Sequence, residues 1–409
     1  MLRRCALLSG LLGATALSGV AQGQQATEGE PKQVEAFPVA AEVVQVIKQF
    51  DNPEGALFSA DGAHVFISNA AEIGDRGEQF GWTEGEGYIS KLEVQQDGTL
   101  EMVEERLIEG LTGPLGMAVL PVGTQKFPQG TIFALTGSAP MADAQGQPVK
   151  ERGRLQSKII GFDPQSGEVL GEIATGHDSA FEEINDSPVL LINAIGFDGE
   201  GNAYFADTAF GGDQFEPPFA LKGGIWMIAH GAIDALAEGQ TPEEQPRFIA
   251  IPGNPDGVEV SPEDGRIYVN TVGPVAGAPD PANGGIYALS KEDFAGEAAT
   301  KLPPPVDQGL GALDGLDFTA GGAMLNTQIK EDVDAAIYVN CPGQQAKKLE
   351  IRNGEQTELA GPADLAVHRV EDGEQLVVVP ELMNRSPNTG DNEVTVLRLP
   401  ADFEQACSR

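Results

Sequence analysis

Acidic residues recur in turns that precede short strands, at intervals of roughly 50 to 80 residues along the chain. Residues 254–257 read Asn-Pro-Asp-Gly, and residues 52–55 read Asn-Pro-Glu-Gly. Proline presets φ and glycine accepts a positive φ, so both stretches are predicted to be turns. Carboxylate and amide oxygens that meet at one point suit a hard cation, Ca²⁺ most naturally, with Mg²⁺ or Mn²⁺ as options. The residues at the corresponding position of each unit are Glu54, Leu115, Asn193, Asp256, Asp314 and Asp364.

Ordinary turn chemistry competes with this interpretation, because Asp and Asn beside Gly are common in turns without any ligand. Two positions are harder to explain in that way. Glu54 is not a favoured turn residue, and Asn193 interrupts the apolar run 189–195, where an aliphatic residue is expected. The joint pattern, rather than any single position, therefore predicts a shared cation site.

Repeated strands and turns must position these residues. Each unit contains short strands rich in β-branched residues, Gly/Pro turns and no sustained helical period. The pattern predicts an all-β fold, a six-bladed β-propeller with four-stranded blades over residues 41–400. The strand at 43–50 is expected to join the last blade beside 393–399 and so close the ring. A single short helix is predicted at 232–238. Long inserts on one face are predicted at residues 70–86, 138–156, 208–223 and 273–284.

Both chain ends carry further signals. Residues 1–23 read as a secretory signal peptide, 24–40 as a flexible leader and 401–409 as a tail, which predicts a periplasmic or secreted protein. An oxidising compartment would allow Cys341 and Cys407 to pair, although two free thiols are the alternative. The formal net charge of −37 disfavours a nucleic-acid partner. No later segment is long enough to span a membrane.

These motifs resemble the gluconolactonase/regucalcin (senescence marker protein) group of six-bladed propellers, which is related to diisopropylfluorophosphatase and paraoxonase. The resemblance extends over about residues 43–399. It implies that Glu54, Asn193 and Asp256 bind one divalent cation, and that Asp256 acts as a base toward water or substrate. Leu115 lies where a second-blade Asn of the family approaches the metal or the substrate.

Two functional classes follow from these observations. The first is an exported, metal-dependent hydrolase of a small-molecule lactone or related ester, with Asp256 or Asp314 taking a proton from water. The second is a non-catalytic propeller that binds a protein or a carbohydrate, an alternative favoured by Leu115 and the acidic inserts. A redox propeller with a quinone cofactor is a third option, but the axial turns lack the basic and histidine residues expected for it.

Overall fold

The computed structural model of the protein describes residues 32–71, 81–273, 284–295, 302–329, 335–356, 359–370, 373–382 and 392–407. Strands dominate these residues, and the three α-helices are short, α1 (Ala180–Asn185), α2 (Ile233–Ala237) and α3 (Phe403–Cys407). α2 confirms the predicted helix at 232–238, but that helix is not single, because α1 and α3 were not predicted. The strands are β1 (Ala36–Ile47), β2 (Pro53–Phe58), β3 (His64–Asn69), β4 (Trp82–Thr83), β5 (Gly87–Val94), β6 (Leu100–Leu111), β7 (Met117–Val119), β8 (Ile132–Thr136), β9 (Met141–Ala142), β10 (Lys158–Phe162), β11 (Val169–Ala174), β12 (Ile192–Phe197), β13 (Ala203–Asp207), β14 (Gly224–Ile228), β15 (Arg247–Ala250), β16 (Pro255–Val260), β17 (Ile267–Thr271), β18 (Gly285–Leu289), β19 (Asp307–Gln308), β20 (Leu313–Phe318), β21 (Met324–Gln328), β22 (Ala336–Asn340), β23 (Lys347–Asn353), β24 (Glu355–Gln356), β25 (Ala366–Arg369), β26 (Gln375–Glu381) and β27 (Glu393–Leu399).

Small antiparallel sheets, each made of strands close in sequence, give the fold its propeller-like arrangement. Four of them have four strands, in the orders β2-β3-β5-β6, β7-β8-β10-β11, β12-β13-β14-β15 and β16-β17-β18-β19. The remaining large sheet has nine strands, in the order β20-β21-β22-β23-β1-β27-β26-β25, with β24 beside β23. The predicted all-β fold is therefore confirmed. The nine-stranded sheet was not expected.

The N-terminal strand β1 is the reason that this sheet is so large. β1 pairs with β27 in antiparallel orientation, as expected, and it also pairs with β23 in parallel orientation. β1 begins at Ala36, inside the segment 24–40 that was predicted to be a leader. The predicted signal peptide 1–23 lies outside the described residues. Cys341, just after β22, forms a disulfide with Cys407 of α3, which confirms the predicted pair and ties the C-terminal end to the body.

The first strands of successive sheets surround a central channel. The N–H of Gly116, just before β7, donates to the carbonyl of Asn193 in β12 at 2.8 Å. The N–H of Asp364, just before β25, donates to the carbonyl of Glu54 in β2 at 3.2 Å, which brings the end of the chain back to its start. Backbone hydrogen bonds between sheets therefore hold the acidic turns close to the axis.

The first strands also share an irregularity. In β2, β12, β16 and β20, two residues oppose one residue of the next strand, which is a β-bulge. A bulge adds one residue to the strand, so residues three positions apart project to the same side instead of to opposite sides. The bulges lie between Pro53 and Ala56, Ile192 and Ile195, Pro255 and Val258, and Leu313 and Leu316.

Inserts from three sheets pack together at one end of the channel. β4, from the first insert, pairs in parallel with β9, from the second. Phe215 and Phe219, from the third insert, pack with Met141 and Leu155 in one small buried cluster. The insert predicted at 273–284 falls almost entirely outside the described residues. No helix in the described ranges is long and apolar enough to cross a membrane.

Candidate metal centre

Three buried carboxyl groups lie on the first strands of three different sheets, β2, β16 and β20. Glu54, Asp256 and Asp314 are 4%, 3% and 6% exposed. Burial raises the pKa of Glu54 well above its usual range, and the negative charges of Asp314, Asp364 and Asp256 raise it further. The charges of Asp314 and Asp256 therefore act on Glu54, while the shared cation site at these residues stays a prediction.

The same forces act on the other members of the group. Burial, followed by the charges of Asp314 and Asp364, raises the pKa of Asp256 well above normal. Burial also raises the pKa of Asp314 to about 7. Several carboxylates cannot all ionise together in a buried site without a compensating positive charge. The group therefore holds protons or a cation at neutral pH.

Two of the carboxylate oxygens have no hydrogen-bond partner among the described residues. These are Oε2 of Glu54 and Oδ1 of Asp256, and both atoms are buried. A buried polar atom without a partner costs about 1–3 kcal/mol, and more if it is charged, so such atoms are rare in native proteins. An oxygen-coordinated cation would satisfy both atoms, and the donor set is the one that Ca²⁺ or Mg²⁺ prefers. The residues at this end of the channel thus fit a divalent cation.

Asn193 and Leu115 lie at the same level of the ring. The carbonyl of Asn193 accepts the N–H of Gly116, the residue after Leu115, so both turns border the axis. Leu115 is 1% exposed and belongs to a buried apolar cluster with Ala70, Trp82 and Leu191. This position therefore supplies packing instead of a ligand oxygen.

The equivalence predicted for Asp364 is wrong by one residue. The N–H of Gly315 donates to the carbonyl of Ala363 at 3.1 Å, which is the counterpart of the bond between Gly116 and Asn193. Ala363 therefore occupies the position of the acidic residue, and Asp364 takes the place of the glycine that follows it. The side chain fits because Gly315 has none, since a Cβ there would lie 2.4 Å from Oδ1 of Asp364.

A second group of carboxyls lines the channel, and the sequence analysis missed two of its members, Glu259 and Asp317. Glu259, Asp317 and Asp364 line a cavity of about 130 Å³ whose other walls are mostly apolar. Burial raises the pKa of Asp317 to about 7 and that of Asp364 to about 8. Glu259 and Asp317 each follow an acidic turn residue by three positions. This spacing of three is visible in the sequence. In a regular strand, residues three positions apart lie on opposite sides, and only the bulge brings them to the same side.

The ligand oxygens of Glu54, Asp256 and Asp314 do not all lie within 4.8 Å of one another, and in the described part of the chain one other group of His, Asp and Glu side chains does meet that distance. Ligand atoms of His177, Asp178 and Glu182 lie within 4.8 Å of one another. Glu182 is already engaged, because its Oε2 lies 2.8 Å from Nδ1 of His177 and its Oε1 accepts a hydrogen bond from Arg152. These contacts account for the cluster without a cation.

Solved structures with a similar fold include both sugar dehydrogenases and gluconolactonases. The PQQ-bound aldose sugar dehydrogenase from Streptomyces coelicolor has a TM-score of 0.51 and 12% identity, over 88% of this chain and 97% of that chain. A gluconolactonase from Xanthomonas campestris has a TM-score of 0.48 and 12% identity, over 91% of this chain and 99% of that one. A glucose dehydrogenase has a TM-score of 0.46 and 12% identity, over 89% and 100%.

At 12% identity the likeness shows only a shared fold. That inference rests on the aldose sugar dehydrogenase, whose TM-score is above 0.5. No protein-family model matches the chain, and no curated protein sequence matches it either.

Proposed function

We propose that the protein is an exported, divalent-cation-dependent hydrolase of lactones or related esters. The cation, Ca²⁺ in the first instance, is held by Glu54, Asn193 and Asp256. The observation that carries the proposal is the pair of buried, unpartnered carboxylate oxygens on Glu54 and Asp256. The gluconolactonases among the structural neighbours add support, because lactone hydrolysis is an activity of that fold.

The geometry suits acyl transfer to water. A bound cation supplies Lewis acidity toward the ester carbonyl. Glu54 and Asp256 hold the charge that binds it, and Asn193 contributes a neutral oxygen. Asp314, with a pKa near 7, is suited to take a proton from water at neutral pH. Burial of these groups excludes bulk water and strengthens each electrostatic interaction.

The arrangement of sheets supports a six-bladed propeller if the nine-stranded sheet is counted as two blades. In that description β20–β23 form one blade, β25–β27 with β1 form the last, and the parallel pairing of β1 with β23 joins them. Export is supported by the disulfide between Cys341 and Cys407, because such bonds persist in oxidising compartments.

Two variants test the proposal with little change in shape. Glu54→Gln and Asp256→Asn should abolish calorimetric Ca²⁺ binding and reduce hydrolysis on a panel of lactones, aryl esters and phosphotriesters. Asp198→Asn makes the same chemical change at a half-buried turn between β12 and β13 and should leave both properties unchanged. Parent rates in the first two variants would refute the assignment of these residues.

A non-catalytic propeller is the second candidate, and Leu115 favours it because this position brings no oxygen to the ring. It is supported if the parent protein hydrolyses nothing on the panel. A quinone-dependent dehydrogenase is suggested only by the PQQ-bound structural neighbour. Dye reduction with added PQQ, Ca²⁺ and an aldose would reveal that activity.

A further inference from the structure

Glu54, Asp256 and Asp314 share a second feature, which is a polar side chain on the neighbouring strand that contacts the glycine after each of them. Each is followed by a glycine within the bulge, so this glycine N–H has no regular partner in the ladder. A buried side chain accepts it in each case, and for Gly315 the carbonyl of Ala363 accepts it as well. Ser68 accepts from Gly55 at 2.7 Å, Asn270 accepts from Gly257 at 2.8 Å, and Thr327 accepts from Gly315 at 2.9 Å.

The turns without an acidic residue lack this support. The residue opposite Asn193 and Ala194 is Ala206, which has no polar side chain. The residue opposite Gly116 is Leu135, whose backbone makes ordinary ladder bonds with that turn. A polar side chain on the next strand therefore accepts the N–H that follows Glu54, Asp256 and Asp314. The turns of Leu115 and Asn193 have no such side chain.

Asn270 also links two neighbouring turns, as Thr327 does when its hydroxyl donates to the carbonyl of Ala363. The Oδ1 of Asn270 accepts the N–H of Gly257, which follows Asp256, and its Nδ2 donates to the carbonyl of Gly315, which follows Asp314, at 3.1 Å. One rigid amide therefore sets the separation between the two turns. Gly257 allows the close approach, because a Cβ there would lie 2.5 Å from the carbonyl oxygen of Asp314.

Further hydrogen bonds fix the orientation of the Asn270 side chain. Asn270 is fully buried, and its Nδ2 also lies 3.3 Å from Oδ1 of Asn326. Asn326 in turn donates to Asn340, and Asn340 donates to Asp307. This chain of amides runs from the axis outward through the sheet that contains β20–β22, so the side chain of Asn270 cannot rotate without breaking several buried bonds.

We propose that Asn270 is a positioning residue of the cation site, which it preorganises by clamping the turns of Asp256 and Asp314 at a fixed distance. The inference rests on the proposed function, because it assumes that Asp256 binds a cation and that Asp314 lies beside it. Groups that orient ligands without touching the metal typically change metal affinity by about 10- to 100-fold when removed. Asn270→Ala is therefore expected to weaken Ca²⁺ binding by about tenfold or more.

A rescue variant and a matched control separate this role from general destabilisation. Asn270→Thr restores an acceptor for Gly257, as Thr327 does for Gly315, and should recover most of the lost affinity. Asn202 is also buried, accepts the N–H of His230 at 3.0 Å and donates to Asp198 at 2.7 Å, but it lies away from the axis. Asn202→Ala removes a comparable pair of bonds and should lower the melting temperature without changing the Ca²⁺ affinity.

The experiment is calorimetric titration of Ca²⁺ into cation-free parent, Asn270→Ala, Asn270→Thr and Asn202→Ala proteins, at a temperature where each is folded by circular dichroism. Parent-like affinity in Asn270→Ala, or an equal loss in Asn202→Ala, overturns the inference and leaves the proposed function standing. If Asn270→Ala does not fold, the similarly sized Asn270→Leu, which also lacks the acceptor, replaces it, and a parent-like affinity in that variant overturns the inference. Absence of binding to the parent protein overturns the proposed function and, with it, this role for Asn270.

Discussion

Replacement of Asp314 by Asn should make the cation-free protein less sensitive to pH. Burial raises the pKa of Asp314 in the folded protein from 3.8 to about 7. Between these two values the folded state binds more protons than the unfolded state, so the free energy of unfolding decreases as the pH rises. The stabilisation is fully present below about pH 4 and is lost as the pH rises through about 7.

The size of this effect follows from the same pKa. A change from 3.8 to about 7 corresponds to about 4 kcal/mol for one carboxyl. About 3 kcal/mol of this falls between pH 5 and pH 8. An amide of the same shape cannot ionise. In the Asp314→Asn variant, the decrease in unfolding free energy between pH 5 and pH 8 should therefore be smaller than in the parent by about 3 kcal/mol.

Urea unfolding in EDTA at pH 5 and pH 8, followed by tryptophan fluorescence, measures both slopes. The matched control is the same comparison in excess Ca²⁺, where a bound cation balances the ionised carboxylates and the pH-dependent difference should shrink. A parent stability that is flat or increases from pH 5 to pH 8 in EDTA would refute the reasoning. Equal decreases in parent and variant would show that Asp314 is not kept neutral by its burial.

Three other predictions concern the site and its support. Ca²⁺ should raise the melting temperature more at pH 8 than at pH 5, because protons compete with the cation for the same oxygens; equal increases in differential scanning fluorimetry would contradict this. Leu115→Asn should tighten Ca²⁺ binding in calorimetry but lower the cation-free unfolding free energy by about 1–3 kcal/mol, since it places an amide in the cluster with Trp82. Cys341→Ser should lower the unfolding free energy by about 2–4 kcal/mol in urea, because the bond with Cys407 links residues 66 positions apart; an unchanged urea midpoint would show that the bond constrains little.

The repeated short strands explain why the all-β fold could be predicted from the sequence. The predicted turns at 52–55 and 254–257 were wrong in detail, because Pro-Glu-Gly and Pro-Asp-Gly lie inside β2 and β16, and the positive φ falls on Asn52 and Asn254 instead of on the glycines. Repetition of that pattern indicated that Glu54 and Asp256 approach a common axis. These inferences need only neighbouring residues, and the binding of one cation by both carboxyls stays a prediction.

Features that depend on the pairing and register of strands could not be predicted from the sequence. The parallel pairing of β1 with β23 joins segments at opposite ends of the chain, and no local pattern specifies it. The register of Asp364 depends on a hydrogen bond between Gly315 and Ala363. Glu259 faces the channel because a bulge in β16 shifts its direction. In each case a long-range contact, rather than a local preference, determines where the side chain lies.

The two groups of channel carboxyls differ in a way that assigns them different roles. Both oxygens of Asp317 accept backbone N–H bonds, from Phe318 and Val367, at 2.6 Å each. Such bonds favour the charged form and satisfy the carboxylate from within the protein. Oε2 of Glu54 and Oδ1 of Asp256 have no such partner among the described residues. The protein itself thus satisfies the carboxylate of Asp317, whereas Glu54 and Asp256 each keep a buried oxygen without such a partner. We therefore expect a cation to bind at Glu54 and Asp256 before it binds at Asp317.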